Sequence, residues 1–151
     1  MEANRPRLFV QPIGVIHSPF TEQKGTPVQP YSAKDTRGTV ELAESFIDGL
    51  LDLDGFERVW LVYWFDRAKP AEMHVLPYRD TQKHGLFATR APARVNPIGM
   101  STVRLLGVEG RTLHVGEIDI LDGTPLLDIK PYVPEYDAYN GVRIGWLTSD
   151  S

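Results

Sequence analysis

Between His84 and Ser101 the chain reads His-Gly-Leu-Phe-Ala-Thr-Arg-Ala-Pro-Ala-Arg-Val-Asn-Pro-Ile-Gly-Met-Ser. Two arginines, an asparagine, a threonine and a serine supply hydrogen-bonding groups. Two prolines forbid a regular helix or a central strand. A polar loop stiffened in this way suits holding a ligand in one pose. The same composition also describes a solvated connection whose arginines lie in water. A second group, Asp122-Gly123-Thr124-Pro125, combines a carboxylate with a glycine that lets backbone come close to a ligand. It reads equally as a plain turn.

Several chemistries are excluded by what is missing. No Gly-x-Gly-x-x-Gly joins a strand to a helix, and no phosphate-cradling Gly-x-x-x-x-Gly-Lys-Ser/Thr occurs, so the usual nucleotide folds lack support. No Gly-x-Ser-x-Gly marks a serine nucleophile. The histidines His17, His74, His84 and His114 lie far apart, which gives no metal-ligand spacing, and no metal is expected. With no cysteine, disulfides and thiolate chemistry are out. Any chemistry must come from residues gathered out of loops.

The charge is uneven. Arg67 to Arg104 holds seven lysines and arginines (among them Lys83, Arg90, Arg94 and Arg104) against two acids, while the rest of the chain is acidic and the net charge is −4. A broad nucleic-acid surface is disfavoured by the total. A local basic face for an anionic partner is compatible with the middle segment, and so is a solvated, arginine-rich surface. The cysteine-free composition suits a reducing cytoplasm. No apolar run is long enough to cross a bilayer, and the N-terminus lacks a secretory pattern, so a cytoplasmic protein without membrane contact is expected.

The elements that must position these loops are short strands. The 151 residues suit a single domain, and 13 glycines with 12 prolines favour a turn-rich β fold. Strands are expected over Leu8–Ile16, Gly38–Leu42, Arg58–Phe65, Gly85–Thr89, Ser101–Val108 and Leu126–Ile129, with a last one through Val142, Ile144 and Trp146. The run Val-Trp-Leu-Val-Tyr-Trp-Phe predicts a strand buried on both faces or lying against a partner chain. Glu44–Leu51 has helical spacing. Leu113 and Val115 alternate, then Ile118 and Ile120 alternate out of phase, which predicts a β-bulge near Gly116. Thr21–Lys34 is a long polar connection, and Pro134–Asn140 is irregular. Together these predict a mainly β protein: a small single-sheet β-barrel with one or two short helices.

The motifs Ile13-Gly14-Val15-Ile16-His17-Ser18-Pro19-Phe20, Arg37-Gly38-Thr39-Val40-Glu41-Leu42, Val59-Trp60-Leu61-Val62-Tyr63, Gly85-Leu86-Phe87-Ala88-Thr89-Arg90, Asn96-Pro97-Ile98-Gly99-Met100-Ser101, Asp119-Ile120-Leu121-Asp122-Gly123-Thr124-Pro125 and Leu127-Asp128-Ile129-Lys130-Pro131-Tyr132 follow in order. Together they resemble the TsaA-like (TrmO, YaeB, VirR) family. The resemblance runs from about Gln11 to Tyr132, leaving 133–151 as a tail, and is to the short members of the family. It implies a small barrel working as a homodimer, with S-adenosylmethionine held by barrel loops near the dimer interface. It further implies methyl transfer to N6 of threonylcarbamoyladenosine, beside the anticodon of tRNA.

Carried over residue by residue, the resemblance places cofactor contacts at Gln29, Pro30, Asp66, Arg90, Asn96, Pro97, Ser101, Asp122, Gly123, Thr124 and Pro125. Arg90 would clamp the cofactor's carboxylate, and Asp122 would accept from its ammonium or ribose. Asp122 and Asp128 are the weak candidates for a base toward N6. Lys83, Arg94 and Arg104 are the expected phosphate contacts for tRNA. Val95 departs from the family, which has Pro or Arg-Pro before Asn-Pro. Other readings are a barrel that binds an adenosine-like ligand or RNA without chemistry, and a methyltransferase for a small-molecule acceptor.

Overall fold

A computed structural model describes residues 5–22, 35–77 and 80–147. Its strands are β1 (Gly14–His17), β2 (Arg37–Leu42), β3 (Arg58–Trp64), β4 (His74–Val75), β5 (His84–Gly85), β6 (Ile98–Glu109), β7 (Thr112–Gly116) and β8 (Thr124–Pro131). Six of them close into a barrel in the order β1-β2-β7-β6-β3-β8, while β4 and β5 make a separate two-stranded ribbon. All pairings are antiparallel. Among the described residues the helical pieces are short 3₁₀ turns (Glu44–Leu50, Leu53–Gly55, Leu86–Ala88) and one α-helical turn, α1 (Pro134–Asp137). The mainly β barrel read from the sequence is the fold observed.

The interior follows from period-two alternation. Ile16, Val40, Leu42, Val59, Leu61, Tyr63, Val103, Leu113, Val115 and Leu126 point inward and form one buried cluster. The apolar β3 run obeys the same rule rather than being buried on both faces. Val59, Leu61 and Tyr63 are inside, whereas Trp60, Val62 and Trp64 look outward. Across β3 and β6 the outward pairs are Trp64 with Ile98 and Val62 with Met100, so the outer wall is also apolar here.

Other expectations shift. The first strand is only Gly14–His17, and Leu8 and Phe9 are 86% and 92% exposed. Pro12 and the lack of a pairing partner keep that stretch out of the sheet. The expected strand Gly85–Thr89 is a two-residue strand followed by a 3₁₀ turn, with Thr89 Oγ1 donating to the Leu86 carbonyl at 2.8 Å. β6 begins at Ile98, three residues earlier than expected, because Pro97 is the last residue unable to pair. The helix expected over Glu44–Leu51 is a 3₁₀ helix. The irregular stretch from Pro134 opens with α1.

Ile118 and Ile120 are buried as expected, but by another device. β7 stops at Gly116, and Glu117 adopts a left-handed conformation at φ 59° that resets the phase. The register shift in this pair of strands lies on β6, between Leu105 and Gly107. No strand forms at Val142–Trp146. Val142 and Ile144 are exposed, and only Trp146 docks: its indole N–H donates to the Ala88 carbonyl at 2.7 Å, and its ring stacks on His84. The polar connection Thr21–Lys34 lies mostly outside the described residues.

The topology gives the barrel a defined mouth. β1 and β3 end there, and β6 and β8 begin there, because Ile16 pairs with Thr124 and Trp64 pairs with Ile98. β7 and β8 are not neighbours, so the connection 117–123 must cross this opening. Its path is anchored on both sides. The Glu117 amide donates to the Thr36 carbonyl (2.7 Å), and the Asp122 and Gly123 amides donate to those of Phe20 (2.7 Å) and Ile16 (2.8 Å). Ile118 and Ile120 plug the barrel beneath it.

Candidate ligand site at the barrel mouth

The turn Asp122-Gly123 is built by local needs. Gly123 sits at φ +81°, which side-chain-bearing residues rarely adopt. The Thr124 hydroxyl donates to the Leu121 carbonyl at 2.6 Å. Arg67, just past β3, donates to the Asp122 carbonyl at 2.8 Å and to Thr124 Oγ1 at 3.1 Å. Its Nε also faces Asp66 Oδ1 at 3.4 Å. Arg67 therefore ties the end of β3 to the turn before β8 and brings Asp66, Asp122 and Thr124 into one group. The sequence reading did not single out Arg67; its place directly after Asp66 at the end of the apolar strand was the available signal.

The Asp122 carboxylate is already partly engaged. Its Oδ1 accepts from the Ser18 amide at 3.0 Å and stands 3.5 Å from His17 Nδ1. The other oxygen is left for a donor from solvent or a ligand. Ser18 Oγ donates to the Ile120 carbonyl, so the end of β1 braces the crossing connection twice.

A second cluster lies under the mouth. Tyr63 Oη and Ser101 Oγ are 2.8 Å apart, and Ser101 Oγ donates to Asp119 Oδ1 at 2.8 Å. Burial pushes the Asp119 carboxyl up to about 6, against the lowering effect of the Ser101 hydroxyl and its own amide. Burial, and then the charge of Asp119, push the Tyr63 phenol well above its ordinary range, with Arg90 acting weakly in the other direction. Gly99 makes room for these rings. A Cβ there would overlap the Tyr63 and Phe65 rings, which meet edge to face at 5.3 Å between centroids. The sequence reading passed over Asp119 and Tyr63. The phase shift that put Ile118 and Ile120 inside gave no role to the residue between them.

The remaining expected residues scatter. Gln29 and Pro30 lie outside the described residues. The Asn96 and Pro97 carbonyls accept from the amides of Ile98 and Phe65, both at 2.7 Å, fastening the loop to the start of β6 and the end of β3. Arg90 is exposed at the end of its motif. Ser101 is 3% exposed, its hydroxyl held between Tyr63 and Asp119, so it supports the mouth from beneath. Pro125 pairs with Val15 inside the β1–β8 ladder. Asp128 lies away from this cluster, with its carboxylate on Lys130 at 3.1 Å and on the Ile129 amide at 2.9 Å.

The three expected RNA contacts sit on different elements. Arg94 is folded back onto its own loop, donating to the Thr89 and Ala91 carbonyls at 2.9 and 3.2 Å. Lys83 is exposed beside the β4–β5 ribbon. Arg104 is exposed on β6, six residues from Ile98, or roughly 20 Å along the strand. Among the described residues no group of three or more His, Asp or Glu could hold a metal. Among them, too, no helix is long and apolar enough to cross a membrane.

Residues 15–138 match the profile of the tRNA-methyltransferase O N-terminal domain. The chain belongs to this TrmO family. A probable S-adenosyl-L-methionine-binding protein of Pyrococcus abyssi is 57% identical over 91% of this chain and 74% of its own length. The human tRNA (adenine(37)-N6)-methyltransferase is 34% identical over 89% of this chain, which spans 32% of that protein. A crystal structure of TrmO from Pseudomonas aeruginosa superimposes with a TM-score of 0.80 at 42% identity, covering 94% of this chain and 62% of the other. The TrmO barrel is thus shared through most of the chain, while several TrmO relatives extend well beyond it.

Proposed function

We propose that this chain binds S-adenosylmethionine at the barrel mouth and transfers its methyl group to N6 of threonylcarbamoyladenosine in tRNA, next to the anticodon. The observation that carries the reading is the Asp122–Pro125 turn, held over the mouth by Arg67, Ser18 and His17 in a TrmO-family barrel. Relatives in this family bear names that specify S-adenosylmethionine binding and adenine-37 N6 methylation.

The residues present fit such a ligand. The free oxygen of Asp122 accepts from ammonium or hydroxyl. Arg90 supplies a two-pronged donor for a carboxylate. Gly123 leaves a turn without a side chain in the way. When bound, the cofactor supplies the methyl electrophile, and the protein supplies position and electrostatics. N6 of the acceptor is a weak nucleophile, conjugated to the purine and the carbamoyl group. Orientation at the mouth and exclusion of water therefore carry the rate. Asp122, at the surface of the mouth, is better placed than Asp128 to take the N6 proton.

The functional unit proposed is a homodimer. The outward apolar wall of β3 and β6 continues into a shallow groove lined by Trp60, Val62, Ile98, Met100, Lys130 and Pro131. A contiguous apolar face of this kind suits a second copy. Cytoplasmic operation is part of the same proposal.

The test is calorimetric titration with S-adenosylmethionine and S-adenosylhomocysteine, followed by nucleoside mass spectrometry of threonine tRNA incubated with protein and cofactor. A 14-dalton gain on the threonylcarbamoyl nucleoside is expected. Cofactor binding without that gain would redirect the reading to a small-molecule acceptor. RNA binding without cofactor binding would leave a binding module.

A further inference from the structure

The group least explained by packing is Asp119. It lies on the connection crossing the mouth, between two isoleucines that fill the barrel. Ser101 has one hydroxyl proton and donates it to Asp119 Oδ1, so Tyr63 must donate to Ser101. The chain of hydrogen bonds thus runs from Tyr63 through Ser101 and ends on an ionised carboxylate. Among the described residues no cation pairs with that carboxylate. Glu117, on the same connection, is tied to Arg58, and Asp122 is engaged by Ser18 and His17. Arg90, exposed beyond the loop, exerts only a weak electrostatic pull at the far end of the chain, on Tyr63. A carboxylate removed from water without a counter-ion is costly, and a cation arriving at the mouth would relieve that cost.

We propose that Asp119 is the counter-charge for a cationic ligand at the mouth, and that it makes the pocket prefer a sulfonium over the neutral thioether left after methyl loss. This rests on the S-adenosylmethionine reading above. The preference has a direct use: the attraction ends when the methyl group leaves, so the product is held less tightly than the substrate. At an effective dielectric near 20, opposite charges about 4 Å apart are worth about 4 kcal/mol, so a preference on the order of 10-fold needs only about a third of that attraction.

The experiment measures affinities of the wild type for S-adenosylmethionine and S-adenosylhomocysteine at pH 7 and pH 5, and repeats them on Asp119→Asn. In the wild type the sulfonium-to-thioether affinity ratio should fall about 5-fold on acidification, since roughly a tenth of a carboxyl titrating at about 6 is still ionised at pH 5. In Asp119→Asn it should be low and independent of pH. A second measurement needs no variant: at pH 6, in buffers of different ionisation enthalpy, the sulfonium ligand should release a fraction of a proton and the thioether none. Binding of both ligands with a ratio untouched by pH and by the substitution would overturn the role of Asp119 alone. Binding of neither would overturn the functional reading, and this inference with it.

Discussion

Replacing Asp119 by Asn should make the protein more stable at neutral pH. The folded carboxyl titrates near 6 against an ordinary 3.8. A raised carboxyl favours the folded state only while it is protonated. That contribution is complete below about pH 4 and is lost as pH rises through 6, so at neutral pH the ionised group opposes folding. A displacement of about 2 units at about 1.4 kcal/mol each sets a ceiling of about 3 kcal/mol. Asn keeps the acceptor for Ser101 and removes the charge. Urea denaturation at pH 7.5 should show Asp119→Asn more stable by about 1–3 kcal/mol, with the gain shrinking below about 1 kcal/mol at pH 4. A variant less stable than wild type at pH 7.5 would show that the ionised carboxylate holds the mouth together, refuting the idea that it is retained for something other than stability.

Three further outcomes are expected. Gly99→Ala forces a methyl into the Tyr63 and Phe65 rings and should cost about 1–3 kcal/mol in the same denaturation assay. Arg67→Ala removes two hydrogen bonds to the 122–125 turn; affinity for S-adenosylmethionine should fall by about 1.5–3 kcal/mol by calorimetry, while the far-ultraviolet circular dichroism stays unchanged. Val62→Asp with Met100→Asp places charges on the outer wall of β3 and β6, and light scattering should change from dimer to monomer at micromolar concentration; a monomeric wild type would sink the dimer proposal.

The barrel was legible where burial is one-sided. Alternation along β2, β3, β6 and β7 marks the inward residues because a strand in a closed barrel has one wet or partner-facing side. The tail misled for the same reason: Val142, Ile144 and Trp146 alternate, yet every barrel strand is already paired on both sides, and the Trp146 indole alone docks, by its hydrogen bond to Ala88 and its stacking on His84. The Asp122–Pro125 turn could be read locally, since its glycine and threonine define it. Arg67 and Asp119 could not be assigned roles from the sequence. Their partners are 55 and 18 residues away, and only barrel closure brings them together. Arg94 showed the reverse: its two carbonyl acceptors lie within five residues, so one of its nitrogens braces its own loop.

The position of β8 has a consequence for how the chain comes into being. β8 is the last of the barrel strands in chain order, and it pairs with β1 on one side and β3 on the other. Until it emerges from the ribosome, β1 and β3 are open edges, and the backbone groups along them await partners 63 to 112 residues downstream. The residues that seal this seam follow directly on the turn proposed to grip the cofactor. No partly made chain can then hold a partly formed pocket, and a ligand that grips the turn also locks the seam. Amides of β8 and β1 should therefore be the ones whose hydrogen exchange slows most when the ligand binds.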